Sequence, residues 1–276
     1  MLTGTSGGNA TRLGLRALAV GYLVLMLLVP VAVIVQDGLS DGLGGLWEAV
    51  RKPTAWHALK LTLWTSAVMA VINAVMGTLT AYVLVRVPFP AKRLVNAVID
   101  LPLAIPTLVT GVMLVTLYGP QHALGAFLNE RLGFQVIFAS PGIILALLFI
   151  TYPFVVRTVQ PVLEELDPAQ EEAAATLGAG PIRTFFRVTV PELSFALLSG
   201  TILSFARAIG EFGSIVIVAG NIPLKTQTAA VYVWGEVESN NRLGASAVSV
   251  VMMAITFSLV LGVDWMQRRR ARERSS

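Results

Sequence analysis

Residues 167–193 read DPAQEEAAATLGAGPIRTFFRVTVPEL. Apolar runs flank this stretch, yet it carries Asp167, Glu171, Glu172, Glu192, Arg183 and Arg187. Its local signals spell a short helix. Asp167 before Pro168 suits an N-cap followed by proline at the first helical position. Gln170 stands where a capping-box partner reaches back, and Glu171 and Glu172 fall in the first turn, where negative charge favours the helix dipole. Ala173, Ala174 and Ala175 are strong helix formers, and Gly178 is placed to end the helix. Pro181 then opens a second short helix through Ile182, Phe185 and Phe186, and Pro191 closes it. A helix of about ten residues is roughly 15 Å long, and a Glu/Ala makeup lacks the basic and bulky apolar faces of an interfacial anchor. Small side chains admit a close neighbour, and Glu172 can pair with a basic residue on it. The stretch reads as a docking element.

The rest of the chain decides what it docks from. Hydrophobic residues make up 55% of the sequence and charged ones 13%, about half the charged share of a soluble domain. Much of the surface must therefore face lipid. No cysteine is present, which removes disulfides and thiolate metal sites. His57 and His122 both fall in polar connectors and form no cluster, so no metal site is expected. The net charge of +4 does not point to nucleic acid. Arg268, Arg269, Arg270, Arg272 and Arg274 crowd directly behind an apolar run, where membrane proteins keep cytoplasmic positive charge.

Crossing the hydrocarbon core takes roughly 20 mainly apolar residues. Six segments qualify, at about 17–36, 61–85, 97–118, 136–156, 193–220 and 243–263. The expected fold is all-α and polytopic: a tail over 1–16, a six-span domain over 17–266 with a polar loop at about 164–192, and a basic tail over 267–276. The leader MLTGTSGGNAT is small and polar and is expected to be disordered. The first apolar run is too long for a cleavable signal and is expected to stay as a permanent helix. With both termini inside, thirteen basic residues fall in cytoplasmic segments and six in outer ones. That bias gives an N-in, C-in orientation and places residues 167–193 in the cytoplasm.

At this point the residues meet a known pattern. Glu172-Ala173-Ala174, three residues, Gly178, nine residues and Val188-Thr189-Val190-Pro191 resemble the EAA loop of binding-protein-dependent ABC importer permeases. That family's pattern ends Ile-x-Leu-Pro, so Val-x-Val-Pro is a conservative departure. The segments DLPLAIPT (100–107), PFVVRTVQPVLEEL (153–166) and SFARAIGEFGSIVIVAGN (204–221) are similar to those of sulfate/thiosulfate permeases of the T type, a likeness covering about residues 60–265. Molybdate and tungstate permeases are similar around the fifth span and the loop, but are generally shorter and lack the first span. The resemblance implies a type I importer architecture in a bacterial inner membrane. It assigns ATPase coupling to Glu172, Ala173, Ala174, Gly178 and Pro191. The implied partners are two ABC ATPase subunits, a second related permease subunit and a sulfate/thiosulfate-binding protein.

Within the fifth span, Arg207 stands about 20 Å along the helix from Leu193. An ionisable residue at that depth is costly and is a functional candidate by default. Glu211, four residues on, can pair with it. Two readings stay open: mutual neutralisation that locks the bundle, or a partly free Arg207 that attracts a divalent oxyanion along a pathway. Gly200, Gly210 and Gly213 read as packing positions, with a seam to a second permease subunit as the alternative. Pro102, Pro106, Pro153 and Pro161 imply kinks, and Asp100 is expected to cap or snorkel. Asn221, Lys225 and Thr226, together with residues 121–133, face the side from which a binding protein would deliver substrate.

No G-x-x-x-x-G-K-[ST] occurs, so no P-loop cradles ATP here. The chain is expected to be neither an enzyme nor a cofactor binder, with ATP held by a separate subunit. The rival from another class is a proton-coupled secondary anion transporter using Arg207 and Glu211. No matching pair of broken segments suggests the internal repeat such carriers often show.

Overall fold

A computed structural model describes residues 6–275, with side chains placed for residues 11–269; every regular element among them is helical. In chain order these are α1 (Ser6–Leu23), α2 (Val29–Gly38), α3 (Gly42–Arg51), α4 (Pro53–Arg86), α5 (Lys92–Ala104), α6 (Thr107–Tyr118), α7 (Ala123–Leu132), α8 (Ser140–Glu165), α9 (Pro168–Thr176), α10 (Pro181–Thr184), α11 (Val190–Ile209), α12 (Gly213–Ala219), α13 (Ala229–Glu238) and α14 (Arg242–Ser275). Five helical stretches are long and apolar enough to cross a membrane, and α5 with α6 makes a sixth bent by 109°.

α8 holds Pro153 and Pro161 within a continuous α-helix, whereas two other long stretches carry a proline by a common device. α1 passes into α2 through a π-turn at Val24–Leu28, with Pro30 in the next turn. α10 passes into α11 through a π-turn at Phe185–Thr189, with Pro191 in the next turn. A proline ring strikes the carbonyl four residues back and donates no hydrogen bond. Here that carbonyl belongs to Met26 or Arg187, inside the widened turn, so the helix continues. Pro191 therefore does not close a separate short helix as expected. Pro181–Ile209 is one stretch of 29 residues.

Other boundaries also move. α4 begins eight residues before Leu61, which puts His57 inside a helix and not in a connector. α8 runs past Arg157 to Glu165. α1 already includes Ser6–Thr11, where disorder was expected; adding turns to an existing helix avoids the cost of nucleation. Met1–Thr5 lie outside the described residues. α14 continues through the basic segment to Ser275 for the same reason. The connectors at the end away from α9 are not simply polar loops: they contain α3, α7 and α13, which bury Ala49, Val50, Gly125, Ala229, Val231 and Tyr232.

The third span departs most from expectation. Pro106 disfavours a helical Ile105, and Ile105 is extended at φ −82°, ψ 128°. Packing shows where the halves go. Ile99 of α5 is buried with Leu84, Val159, Leu163 and Leu193, at the α9 end. Leu114, Val115 and Tyr118 of α6 pack on Val136, Ile137 and Val218, at the opposite end. The bent pair thus traverses the bundle.

α4, α8 and α11 form the centre. Between them Asn73 donates to the Thr151 hydroxyl at 2.9 Å and to the Leu148 carbonyl at 3.3 Å, and Thr151 donates to the Leu147 carbonyl at 2.8 Å. Asn73 and Thr151 are fully buried, and their interhelical bond supplements close packing where lipid offers little hydrophobic drive. Arg157 joins α8 to α5. Its guanidinium makes a two-pronged pair with Asp100 at 2.7 Å on each oxygen, and reaches the Asn96 side chain, the Asn96 carbonyl and Gln160. All five of its donors are engaged. Asp100 is therefore an ion-pair partner and not a free cap.

Candidate functional site

α9 projects from the bundle with no fully buried residue. The Asp167 carboxylate accepts from the Ala169 N–H at 2.9 Å, and Pro168 fills the first helical position. At the other end, Gly178 adopts φ +84°. The Gly178 N–H donates to the Ala175 carbonyl at 2.9 Å and the Ala179 N–H to the Ala174 carbonyl at 3.0 Å. Both bonds of a Schellman cap are made, and the left-handed residue between them favours glycine. The helix is short because both ends are actively stopped.

The two neighbouring glutamates divide their work. One oxygen of Glu171 pairs with Arg86 Nε at 3.0 Å and the other accepts the Thr189 hydroxyl at 2.8 Å. Arg86 also donates to the Leu166 carbonyl at 3.0 Å. Glu171 so ties α9 to the last turn of α4 and to the π-turn leading into α11. Glu172 points away, exposed and without an ion-pair partner among the described residues. Ala173 is exposed and Ala174 half-buried. In the same loop Leu177, Ile182 and Phe186 are 89%, 77% and 64% exposed. Large apolar side chains this exposed within one short loop mark a contact surface. Pro191 lies apart from it, in the first turn of α11.

The intramembrane pair forms, but across a break. α11 stops at Ile209 and α12 restarts at Gly213. Arg207 Nη2 lies 2.9 Å from Glu211 Oε2, with the Glu211 side chain 2% exposed and that of Arg207 36%. Glu211 Oε1 accepts from both the N–H and the hydroxyl of Ser214 at 3.0 Å. One carboxylate therefore caps the first turn of α12 and neutralises Arg207. Glu211 is fully committed to holding the break. Among the described residues Arg207 has no second carboxylate partner.

The two broken spans lie side by side. α6 packs along α12, and a Cβ on Gly213 would collide with the Thr107 hydroxyl, while one on Gly111 would come within 2.8 Å of the Ser214 carbonyl. Gly200 similarly faces Thr158 and Val155 at 3.1–3.2 Å. Gly210, by contrast, has nothing within 4 Å. Of the three glycines flagged by sequence, Gly200 and Gly213 are packing positions and Gly210 is open. From sequence, Glu171 had only a place in the first helical turn, Arg86 only a place among the cytoplasmic charges, Thr189 only a motif position, and Ser214 no role of its own. The first three are joined only by folding, and Ser214 becomes a cap partner only because the helix breaks. At the end away from α9, Thr226 donates to the Ala219 carbonyl at 2.5 Å and Gln227 to Asn221 at 2.8 Å, leaving Ile222–Lys225 as an exposed tip.

The chain is 41% identical over 247 residues to the sulfate transport system permease protein of Synechocystis, covering 90% of this chain and 86% of that one. It is 40% identical over 251 residues to the probable sulfate transport system permease protein of Nephroselmis olivacea, covering 91% and 88%. The Escherichia coli K12 protein of that system is 38% identical over 251 residues, covering 91% and 90%. In fold, it matches a bacterial alginate ABC transporter solved with its periplasmic protein, at TM-score 0.77 and 16% identity over 95% of this chain and 96% of that one. It also matches the MetNI methionine ABC transporter at TM-score 0.52 and 18% identity, over 79% and 98%. Residues 73–272 match the family described as "Binding-protein-dependent transport system inner membrane component", and the chain belongs to that family as a non-catalytic permease subunit of an ABC transporter.

Proposed function

We propose that this chain is the subunit through which an ATP-driven importer carries sulfate or thiosulfate across the bacterial inner membrane, with both termini and α9 in the cytoplasm. The observation that carries the reading is the α9 loop: clamped to two spans through Glu171, and presenting Glu172, Leu177, Ile182 and Phe186 outward. A rigid knob tied to α4 and α11 can convert motion of a docked protein into motion of those spans. Glu172, Ala173, Ala174 and Gly178 make the knob, and Pro191 lies where its motion enters α11. The oxyanion assignment draws on relatives of sulfate transport systems at 38–41% identity over about nine-tenths of the chain.

In this mechanism two ATPase subunits close on ATP and move the knobs of this chain and of a second, related permease subunit. A loaded sulfate/thiosulfate-binding protein docks on the outer face, where Ile222–Lys225 and, apart from the buried Gly125, residues 121–133 are exposed or half-exposed. Arg207, held against Glu211 at the break between α11 and α12, offers its remaining donors to the passing dianion. Docking must differ in strength between the inward- and outward-facing states, because a contact equal in both shifts nothing.

Proteoliposomes holding the chain with its ATPase, second permease and binding protein test the reading. Labelled sulfate should enter only with ATP, and unlabelled thiosulfate should compete. Preferential entry of molybdate or tungstate would overturn the substrate assignment, and uptake driven by a pH gradient without the ATPase would overturn the mechanism.

A further inference from the structure

At the end of the bundle opposite α9, α3 and the start of α4 present a second cluster that the transport reading does not use. α3 is held by Ala49 and Val50, buried with Ala55, Ala58 and Leu59 of α4 and Ala247 and Val248 of α14. Its other face is open, with Leu43 77% and Trp47 51% exposed. The Arg51 guanidinium lies 5.0 Å over the Trp47 ring, and the Lys60 ammonium 5.8 Å from the Trp56 ring. Trp47, Arg51 and Trp56 line a pocket of about 240 Å³.

Stacking on an indole face holds a guanidinium without consuming its in-plane N–H donors. No carboxylate pairs with Arg51, Lys52 or Lys60 among the described residues. The cluster is thus a fixed, unneutralised set of cations framed by aromatic rings. Its level follows from α4: Lys60 and Arg86 stand about 39 Å apart along the helix, more than the roughly 30 Å hydrocarbon core. With Arg86 in one headgroup layer, Lys60 reaches the other. From there the exposed positions of α4 continue as Trp64, Ala67, Val71 and Val75, one uninterrupted apolar stripe. The tryptophans cap that stripe where an aromatic belt meets the headgroups.

We propose that Trp47, Arg51, Trp56 and Lys60 bind the phosphodiester headgroup of an anionic phospholipid whose acyl chains lie along the Trp64–Val75 stripe. The positive charge selects an anionic over a zwitterionic lipid, and the stripe selects a lipid over a free oxyanion. The site fixes the depth of α3 and α4 in the leaflet away from α9.

The test uses the purified full chain and native mass spectrometry with added dioleoylphosphatidylglycerol or dioleoylphosphatidylcholine. The wild type should retain the glycerol lipid preferentially, and the double variant Arg51→Gln/Lys60→Gln should lose that excess at least threefold with retention of the choline lipid unchanged. If the double variant does not insert, Arg51→Gln alone should still lower the retained glycerol lipid measurably. Equal retention in the variants would overturn the proposal. So would displacement of the lipid by millimolar inorganic sulfate, which would make the cluster a free-oxyanion site. A photo-crosslinker at Leu43 in the assembled transporter should capture lipid; capture of a protein subunit there would overturn it as well.

Discussion

Glu171 and Arg86 pair at 3.0 Å across the base of α9, with both side chains about 15% exposed, so the projecting loop is joined to the second span by a largely desolvated charge pair. Its neighbour Glu172 has no such tie. The loop therefore has an anchoring carboxylate and a presenting carboxylate one residue apart.

Substitutions at the two should separate stability from coupling. Glu171→Ala removes bonds to Arg86 and Thr189 and is expected to cost about 2 kcal/mol of stability, lowering the thermal midpoint and ATP-driven uptake together. The exchange Arg86→Glu/Glu171→Arg should recover part of both. Glu172→Lys should leave the midpoint within about 0.5 kcal/mol equivalents while sharply reducing uptake and leaving basal ATP hydrolysis by the complex. Uptake and thermal unfolding on the same preparations read all three.

Gly178 tests the cap. Nothing lies within 4 Å of a Cβ placed there, but its φ is +84°. The cost of Gly178→Ala is therefore conformational, about 1–2 kcal/mol. It falls on α9, which has no buried residue to compensate. Gly178→Asp should uncouple ATP hydrolysis from uptake with the spans still inserted, whereas Gly178→Asn should be milder because asparagine tolerates the left-handed region. Parallel hydrolysis and uptake rates decide it.

At the break in the fifth span, Arg207→Ala should abolish sulfate uptake while the complex still assembles, since Glu211 keeps its bonds to Ser214. Glu211→Ala should do more structural damage. It removes the cap of α12 and leaves Arg207 unpaired, a loss of about 2–3 kcal/mol. Size-exclusion profiles of the assembled transporter, beside uptake, distinguish the two outcomes. Failed assembly of Arg207→Ala would make the arginine a structural lock.

The glycines give a contrast within three residues. Gly213→Ala forces its methyl against Thr107 and the Leu108 amide and should cost about 1–3 kcal/mol, prising α12 from α6. Gly210→Ala meets open space and should be near neutral. Thermal unfolding of the two single variants measures the difference.

By itself the sequence determined which segments are apolar enough to cross a membrane and that α9 is a short helix capped at both ends. Those properties rest on local quantities: run length against membrane thickness, charge placement, and the residues that begin and end a helix. The resemblance around Glu172 and Gly178 likewise needed only spacing. Tertiary structure alone decided the rest. Whether a proline breaks a span is not written in the proline itself: Pro30 and Pro191 follow π-turns, Pro153 and Pro161 sit within the continuous α8, and at Pro106 the span bends by 109°. Which of two adjacent glutamates is the anchor depends on Arg86 and Thr189, which approach only once α4 and α11 pack. Arg157 and Asp100 look like ordinary boundary charges until α5 lies against α8. In the last two cases the deciding energy is a contact between residues separated in the chain, and no local pattern records which of them will meet.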